Sequence, residues 1–279
     1  MRILLLGASG FVGKHLVPAL QARGDEVLSA SLRDPDAAAT SAARCDAAVN
    51  LAGEPLSQRW TASVKRRIEE SRVDAPRRFL EALSKIDRRC AVYVSASAVG
   101  YYGTSETDAF VETSPPGDDF VASVCTGWER EARRAAELGM RVAIVRTGIA
   151  LGTDGGALAK ILPPFRAGMG GVVGNGRQWL SWIHIEDLVG IYLMALDGID
   201  GPVNATAPVP VTNADFTREL GDALHRPARL GVPTFALRAM LGEGAEIVLR
   251  GQRALPQRTQ QLGYRFEFER LTDALANLL

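Results

Sequence analysis

The chain has 279 residues, 47% of them hydrophobic and 6% aromatic, and its 32 basic side chains balance 32 acidic ones. That composition describes a globular chain long enough to bury a full core and excludes a disordered one. Zero net charge without a dominant basic cluster excludes the footprint of a nucleic-acid binder. No apolar run approaches the ~20 residues of a membrane span and no signal sequence opens the chain, so a cytoplasmic protein without a membrane anchor is expected.

Short apolar runs at residues 3–6, 27–30, 47–50, 91–95 and 142–145 predict buried strands, and apolar residues at three-to-four spacing predict helices over 12–23, 62–84 and 120–138. Strands alternating with helices imply a doubly wound parallel sheet of the Rossmann type, covered on both faces. After Gly148 the chain becomes punctuated by glycine and proline, with helices expected at 186–196 and 213–224. The division expected is therefore a dinucleotide-binding domain over 1–150, to which later segments return, and a smaller C-terminal α/β substrate lobe over 151–279.

The first strand runs directly into Gly7, Gly10 and Gly13, with Ser9, Phe11 and Val12 between them, at the opening of the first helix. Gly7 suits a tight turn, Gly10 a close approach to a pyrophosphate and Gly13 tight helix packing, while the helix N-terminus offers unpaired N–H groups to the anion. A cofactor with a free ribose 2′-hydroxyl usually meets an acidic residue after the second strand. Here the residues are Ser29, Ala30, Ser31, Leu32 and Arg33. Arg33 can fork a 2′-phosphate with Ser31 as a second donor, which favours NADP, or it can pair with Asp34 or Asp36. The basic run from Lys65 to Arg67 reads as a solvated helix face. Cys45, Cys90 and Cys125 are odd in number and lack CxxC spacing, so neither a disulfide framework nor a metal site is expected.

Five ordered motifs carry a resemblance over essentially the whole chain: G-A-S-G-F-V-G at 7–13, N-L-A-G at 50–53, S-A-S-A-V-G-Y-Y-G at 95–103, R-T-G-I-A-L-G at 146–152 and W-I-H-I-E-D-L at 182–188. Together they resemble the extended short-chain dehydrogenases, which include nucleotide-sugar epimerases and dehydratases. More narrowly, with L-G-V-P at 230–233 and L-R-G-Q-R at 249–253, the chain is similar to the atypical subgroup labelled sugar-nucleotide-epimerase-like or cell-division-inhibitor-like. The resemblance implies that Leu51, Ala52 and Gly53 line the adenine side, and that Ser95 and Ala96 border the cofactor. It also implies that Arg146, Gly148 and Ile149 wall the nicotinamide and that Ser97 stands where such enzymes place a catalytic serine. Ser95 and Ser97 serve equally well as partners of backbone groups at a strand end.

The chain departs from the family at its acid/base. The superfamily uses a tyrosine followed four residues later by a lysine, and no such pair exists here. Phe120 or Val121 takes the tyrosine position, Val124 or Cys125 the lysine position, and together with Trp128 they form an apolar helical stripe. Tyr102 is the best substitute acid, although an unassisted phenol titrates near ~10. Arg177 either meets a substrate phosphate or carboxylate or belongs to a β-turn leading into a core strand. His184 is either a proton donor or a structural residue ahead of a helix. The expected function is redox-based reduction or epimerisation of a small polar substrate, with a dehydratase-like reaction as the nearest rival and a non-catalytic NADP(H) sensor as the alternative class. The apolar helices at 62–84 and 120–138 suit either the core or a homodimer.

Overall fold

The computed structural model describes residues 1–279. Strand β1 (Arg2–Leu6) buries Ile3 and Leu5 on one face and Leu4 and Leu6 on the other, the pattern of a strand sandwiched between helical layers. It leads through the glycine turn into α1 (Phe11–Ala22), then β2 (Glu26–Ala30), α2 (Pro35–Ala42) and β3 (Ala47–Asn50). The sequence pattern did not reveal α2, an alanine-rich helix whose start is set by Pro35 in its first turn and by the Asp34 carboxylate, which accepts from the Ala37 N–H at 3.0 Å.

The helical stretch at 62–84 is α3 (Ala62–Glu69) and α4 (Ala75–Ser84), joined by a single π-helical turn over Glu70–Asp74. After β4 (Val92–Ala98) and the short β5 (Ala109–Phe110) comes α5 (Phe120–Arg133), which tightens into a 3₁₀ turn and stops at Gly139 with φ +82°. Next follow β6 (Arg141–Thr147), β7 (Ile149–Leu151), α6 (Leu158–Arg166), β8 (Trp179–Leu180), β9 (Trp182–His184), α7 (Ile185–Asp197) and β10 (Gly201–Ala205). The last elements are β11 (Val211–Thr212), α8 (Asn213–Ala223), α9 (Thr234–Leu241), α10 (Glu246–Leu249), β12 (Arg253–Ala254), α11 (Gln257–Gln261) and α12 (Leu271–Leu278). No helix is long and apolar enough to cross a membrane.

The six-stranded sheet runs β2-β1-β3-β4-β6-β10, every pair parallel. Helices α1 and α7 cover one face around Leu16, Leu20, Ile191 and Tyr192, and α2, α4 and α5 cover the other around Phe79, Leu83 and Ala132. A separate core of Leu151, Leu158, Phe165, Trp182, Phe216 and Leu275 holds the C-terminal lobe. The chain crosses between the lobes more than once: it leaves the sheet at Gly148, and α7 and β10 then bring it back. The order reverses at β1, so β1, β3 and β4 end beside a crevice, where open α/β sheets bind ligands.

Gly148 is the tightest point of the exit. Its N–H donates to Ala205 O, and an added Cβ would stand 2.2 Å from Ser181 O. Gly148→Ala is therefore expected to force the joint between the lobes open and to destabilise the fold by about 1–3 kcal/mol. A thermal melt of the variant unchanged from that of the parent chain would contradict this reading.

Candidate functional site

The glycine turn has the geometry of an anion cradle. Gly7 takes φ +89°, and a Cβ there would lie 2.9 Å from Ala52 N; a Cβ on Gly13 would lie 2.6 Å from Gly7 O. Both positions are glycine because backbone crosses backbone. Gly10 differs, since its Cβ position meets only Gly7 O, at 3.2 Å, and is otherwise open. Gly10 is also the N-cap of α1, and no side chain caps that 12-residue helix. An uncapped helix start beside an open glycine fits a pyrophosphate.

Two cavities meet at this turn. The outer one, about 880 Å³, is lined by Ser9, Ser31, Arg33, Leu51, Ala52 and Gly53 among others. The Asp34 carboxylate is committed to capping α2 and no carboxylate pairs with Arg33, leaving an exposed guanidinium for a phosphate. Arg67 and Arg78 line the same cavity, so the run read as a solvated face contributes one member to it. Helical periodicity alone did not reveal this, because the approach of α3 and α4 to the end of β2 is a tertiary contact.

The inner cavity, about 350 Å³, lies between the glycine turn and α5. Phe11, Val12, Leu51, Ala96, Ser97, Ala98, Phe120, Val121, Val124 and Trp128 line it, so the positions that would carry a tyrosine and a lysine present hydrocarbon. Arg72, on the π-helical turn, also lines it. Its Nη1 donates to Glu54 O at 2.9 Å, the guanidinium carbon sits 5.2 Å from the Trp128 ring centroid, and no carboxylate pairs with it. Burial pulls its pKa below the ordinary value, against Cys125 and Glu54, which raise it. Burial pushes the Cys125 thiol up to about 12, which leaves it neutral and inert.

Beneath these cavities runs a buried polar network that takes up several residues expected to act on ligands. Arg146, only 2% exposed, forks the Glu129 carboxylate with Nε to Oε1 at 2.7 Å and Nη2 to Oε2 at 2.9 Å. Its Nη1 donates to the Tyr102 hydroxyl at 2.9 Å, and its guanidinium stacks 3.6 Å from the Tyr101 ring centroid. Tyr102 donates to Asn204 Oδ1 at 2.7 Å, and Ser97 donates to Glu129 Oε1 at 2.9 Å. Arg146 thus lines neither cavity at the turn: its charge is satisfied inside the protein. Ser95 is fully buried, donates to Ala96 O and lines neither cavity at the turn. The Ser97 proton belongs to Glu129, so Ser97 turns only lone pairs towards a ligand and accepts rather than donates. Burial pushes the Tyr102 phenol up to about 12, and both roles of its hydroxyl are filled, a poor setting for a proton relay.

A third cavity of about 1000 Å³ opens beyond the inner one and shares Leu56, Trp60, Ala98, Phe120, Val121 and Thr147 with it. Gly148, Ile149 and Tyr102 line this outer side, facing Arg238, Glu246 and Arg250 of the C-terminal lobe. Neither substrate candidate reaches it. Arg177 is 71% exposed and pairs with Glu106 at 3.3 Å on the surface. His184 is 1% exposed, accepts the Glu186 N–H at Nδ1 to cap α7, and packs 3.9 Å from the Phe268 ring centroid. It is therefore a cap inside the small core, and burial lowers its pKa. Trp60 and Arg72 are wall residues that the sequence motifs did not mark, because they fall between the motifs, whereas the wall residue Thr147 lies inside the motif at 146–152.

A family model described as "NAD dependent epimerase/dehydratase family" matches residues 3–206, and one described as "Domain of unknown function (DUF1731)" matches residues 232–278. The chain belongs to the NAD dependent epimerase/dehydratase family. Its relatives include the chloroplastic SDR39U1 homolog of Arabidopsis thaliana, 40% identical over 302 residues that cover 100% of this chain and 87% of the relative. The SDR39U1 epimerase family protein of Homo sapiens is 39% identical over 295 residues, covering 100% of both. The crystal structure of human SDR39U1 (isoform2) with NADPH matches with a TM-score of 0.93 at 37% identity, covering 100% of this chain and 99% of that one. The UDP-glucose 4-epimerase of Thermotoga maritima shares the fold at a TM-score of 0.83 and 17% identity, covering 100% and 97% of the two chains.

Two outcomes follow from the buried groups. Glu129→Gln strips the countercharge from Arg146 and is expected to cost about 3–5 kcal/mol in chemical denaturation; a loss below about 1 kcal/mol would contradict the role given to the pair. Because the folded pKa of His184 is lowered, the unfolded chain binds its proton more readily. The stability His184 contributes is then present above about pH 6.5 and lost as pH falls. Thermal melts between about pH 7 and pH 5 are expected to fall more steeply for the parent chain than for His184→Asn, and parallel slopes would refute this.

Proposed function

We propose that this chain binds NADPH across the glycine turn and acts as an oxidoreductase or epimerase-like enzyme on a small polar substrate held between its two lobes. The observation that carries the reading is Arg33, a guanidinium without a carboxylate, in the cavity that begins at the uncapped start of α1. The NADPH in the crystal structure of the human relative supports it. In this reading Gly7, Ser9, Gly10 and Gly13 seat the pyrophosphate, Ser31 and Arg33 hold the 2′-phosphate with Arg78 nearby, and Leu51, Ala52 and Gly53 border the adenosine half. Bound there, the cofactor supplies a hydride from its nicotinamide.

The chain's own residues then shape what can react. Phe120, Val121 and Thr147 stand between the inner cavity and the third one, where the substrate would sit against Ile149 and the C-terminal lobe. Ser97, with its proton on Glu129, orients a substrate hydroxyl by accepting from it. Tyr102 braces the wall, and the proton exchanged with the substrate comes from water, since the Ser97 and Tyr102 hydroxyls already donate to Glu129 and Asn204. One observation favours the second reading, a non-catalytic NADP(H) sensor: hydrocarbon at both positions where the superfamily carries tyrosine and lysine.

Arg33→Asp is expected to weaken NADPH binding by about 10- to 100-fold, the value of a charge-assisted contact, and NADH binding by less than about threefold. Unchanged NADPH affinity in a fluorescence titration would remove the cofactor assignment. Stoichiometric loss of the reduced-nicotinamide absorbance on mixing the NADPH complex with carbonyl substrates, or its gain or epimer formation on mixing the NADP⁺ complex with sugar nucleotides, supports the enzyme. A complex inert to all of them while still binding NADPH favours the sensor.

A further inference from the structure

We propose that Arg72 makes the site selective for the reduced cofactor, so that the chain binds NADPH more tightly than NADP⁺. The inference rests on the cofactor reading above. Arg72 is the one charged residue lining the inner cavity, whose other walls are glycines, Ser97, Thr147, neutral Cys125 and Tyr192, and apolar side chains. No carboxylate lies within ion-pair reach of it, and only its Nη1 is engaged, with Glu54 O and more loosely with Ile68 O and Ser71 Oγ. The Glu54 carboxylate is held instead by Gln58 and Arg67 and faces the outer, adenosine-side cavity.

A second unmet donor stands beside it. The Trp128 indole is 5% exposed, lines the same cavity, and its N–H is buried without an acceptor. Two idle donors point to a ligand rich in acceptor oxygens, which the ribose and phosphate on the nicotinamide side provide.

The nicotinamide ring carries a positive charge when oxidised and none when reduced. A guanidinium in an apolar cavity disfavours the oxidised ring relative to the reduced one, because both forms bring the same phosphates to it and differ only in the charge of the ring. The other charges nearby are already engaged or wet. Lys65, 4.5 Å from the Phe120 ring centroid, pairs with Glu243, and Glu246 pairs with Arg238 and Arg250. Asp119 caps α5 and Asp118 is exposed to water. The lysine of the standard site is also a cation, but one placed next to an acidic phenol; here neither is present, and Arg72 acts on the cofactor's charge alone.

The test is a pair of titrations, NADPH and NADP⁺, on the full chain and on Arg72→Gln and Arg72→Lys. The parent chain is expected to bind NADPH at least about tenfold more tightly, equivalent to about 1.4 kcal/mol. Arg72→Gln is expected to bring the ratio to within about threefold of unity, and Arg72→Lys to keep most of it. Equal affinities in the parent chain overturn the inference whether or not either variant folds, and so does a ratio that survives in Arg72→Gln. Failure of the parent chain to bind either form would instead overturn the cofactor reading on which the inference stands, so the two failures are distinct.

Discussion

The ion pair between Arg146 and Glu129 is the contact on which the rest of the structure turns. It is almost wholly buried and joins β6 to α5, and through Ser97, Tyr102 and Asn204 it reaches β4, the turn after β4 and β10. Glu112 extends it: its carboxylate accepts from Asn204 N and from Arg258 N, binding the C-terminal segment to the same core. A buried guanidinium is tolerated only when its donors are filled, and here one carboxylate, one phenol and one carbonyl fill them.

That network has a chemical consequence. The family's helical tyrosine is replaced here by Phe120 or Val121, and the hydroxyls present at the end of β4, those of Ser97 and Tyr102, are turned inward. Serine and tyrosine remain at the strand end, yet their protons belong to Glu129 and Asn204. What lines the inner cavity is mostly hydrocarbon, with one unpaired guanidinium. A cavity of that kind controls the charge and the orientation of its ligand better than it moves protons.

Much of the nucleotide half was legible in the sequence because it rests on local rules. Two-sided burial marks β1 and β3, three-to-four spacing marks α1 and α5, and the glycines at 7 and 13 stand where backbone meets backbone, with Gly10 open at the start of α1. Helix α2 escaped notice because alanines carry little periodic contrast, and β10 because Gly201 and Pro202 hide a strand edge. The lobe boundary drawn at 150 follows composition, whereas α7 and β10 rejoin the first core through contacts that no composition shift records. Ser31 and Arg33 line the cavity at the glycine turn, a placement legible from their position after a strand. Arg146 and His184 were misread as ligand-facing because a motif match does not say which way a side chain turns. Arg72 lay outside every motif and is drawn to the cavity by tertiary packing alone, whereas Thr147 fell inside the motif at 146–152.

The measurement that bears most directly on the account is a crystal structure of the chain with NADPH, examined at the space in front of the reactive nicotinamide carbon. The account predicts that Phe120, Val121 and Thr147 border that space, with Ser97 still bonded to Glu129 and Tyr102 to Asn204. A Ser97 or Tyr102 hydroxyl released from its buried partner and standing within hydrogen-bond reach of that space would contradict it and restore a side-chain proton relay.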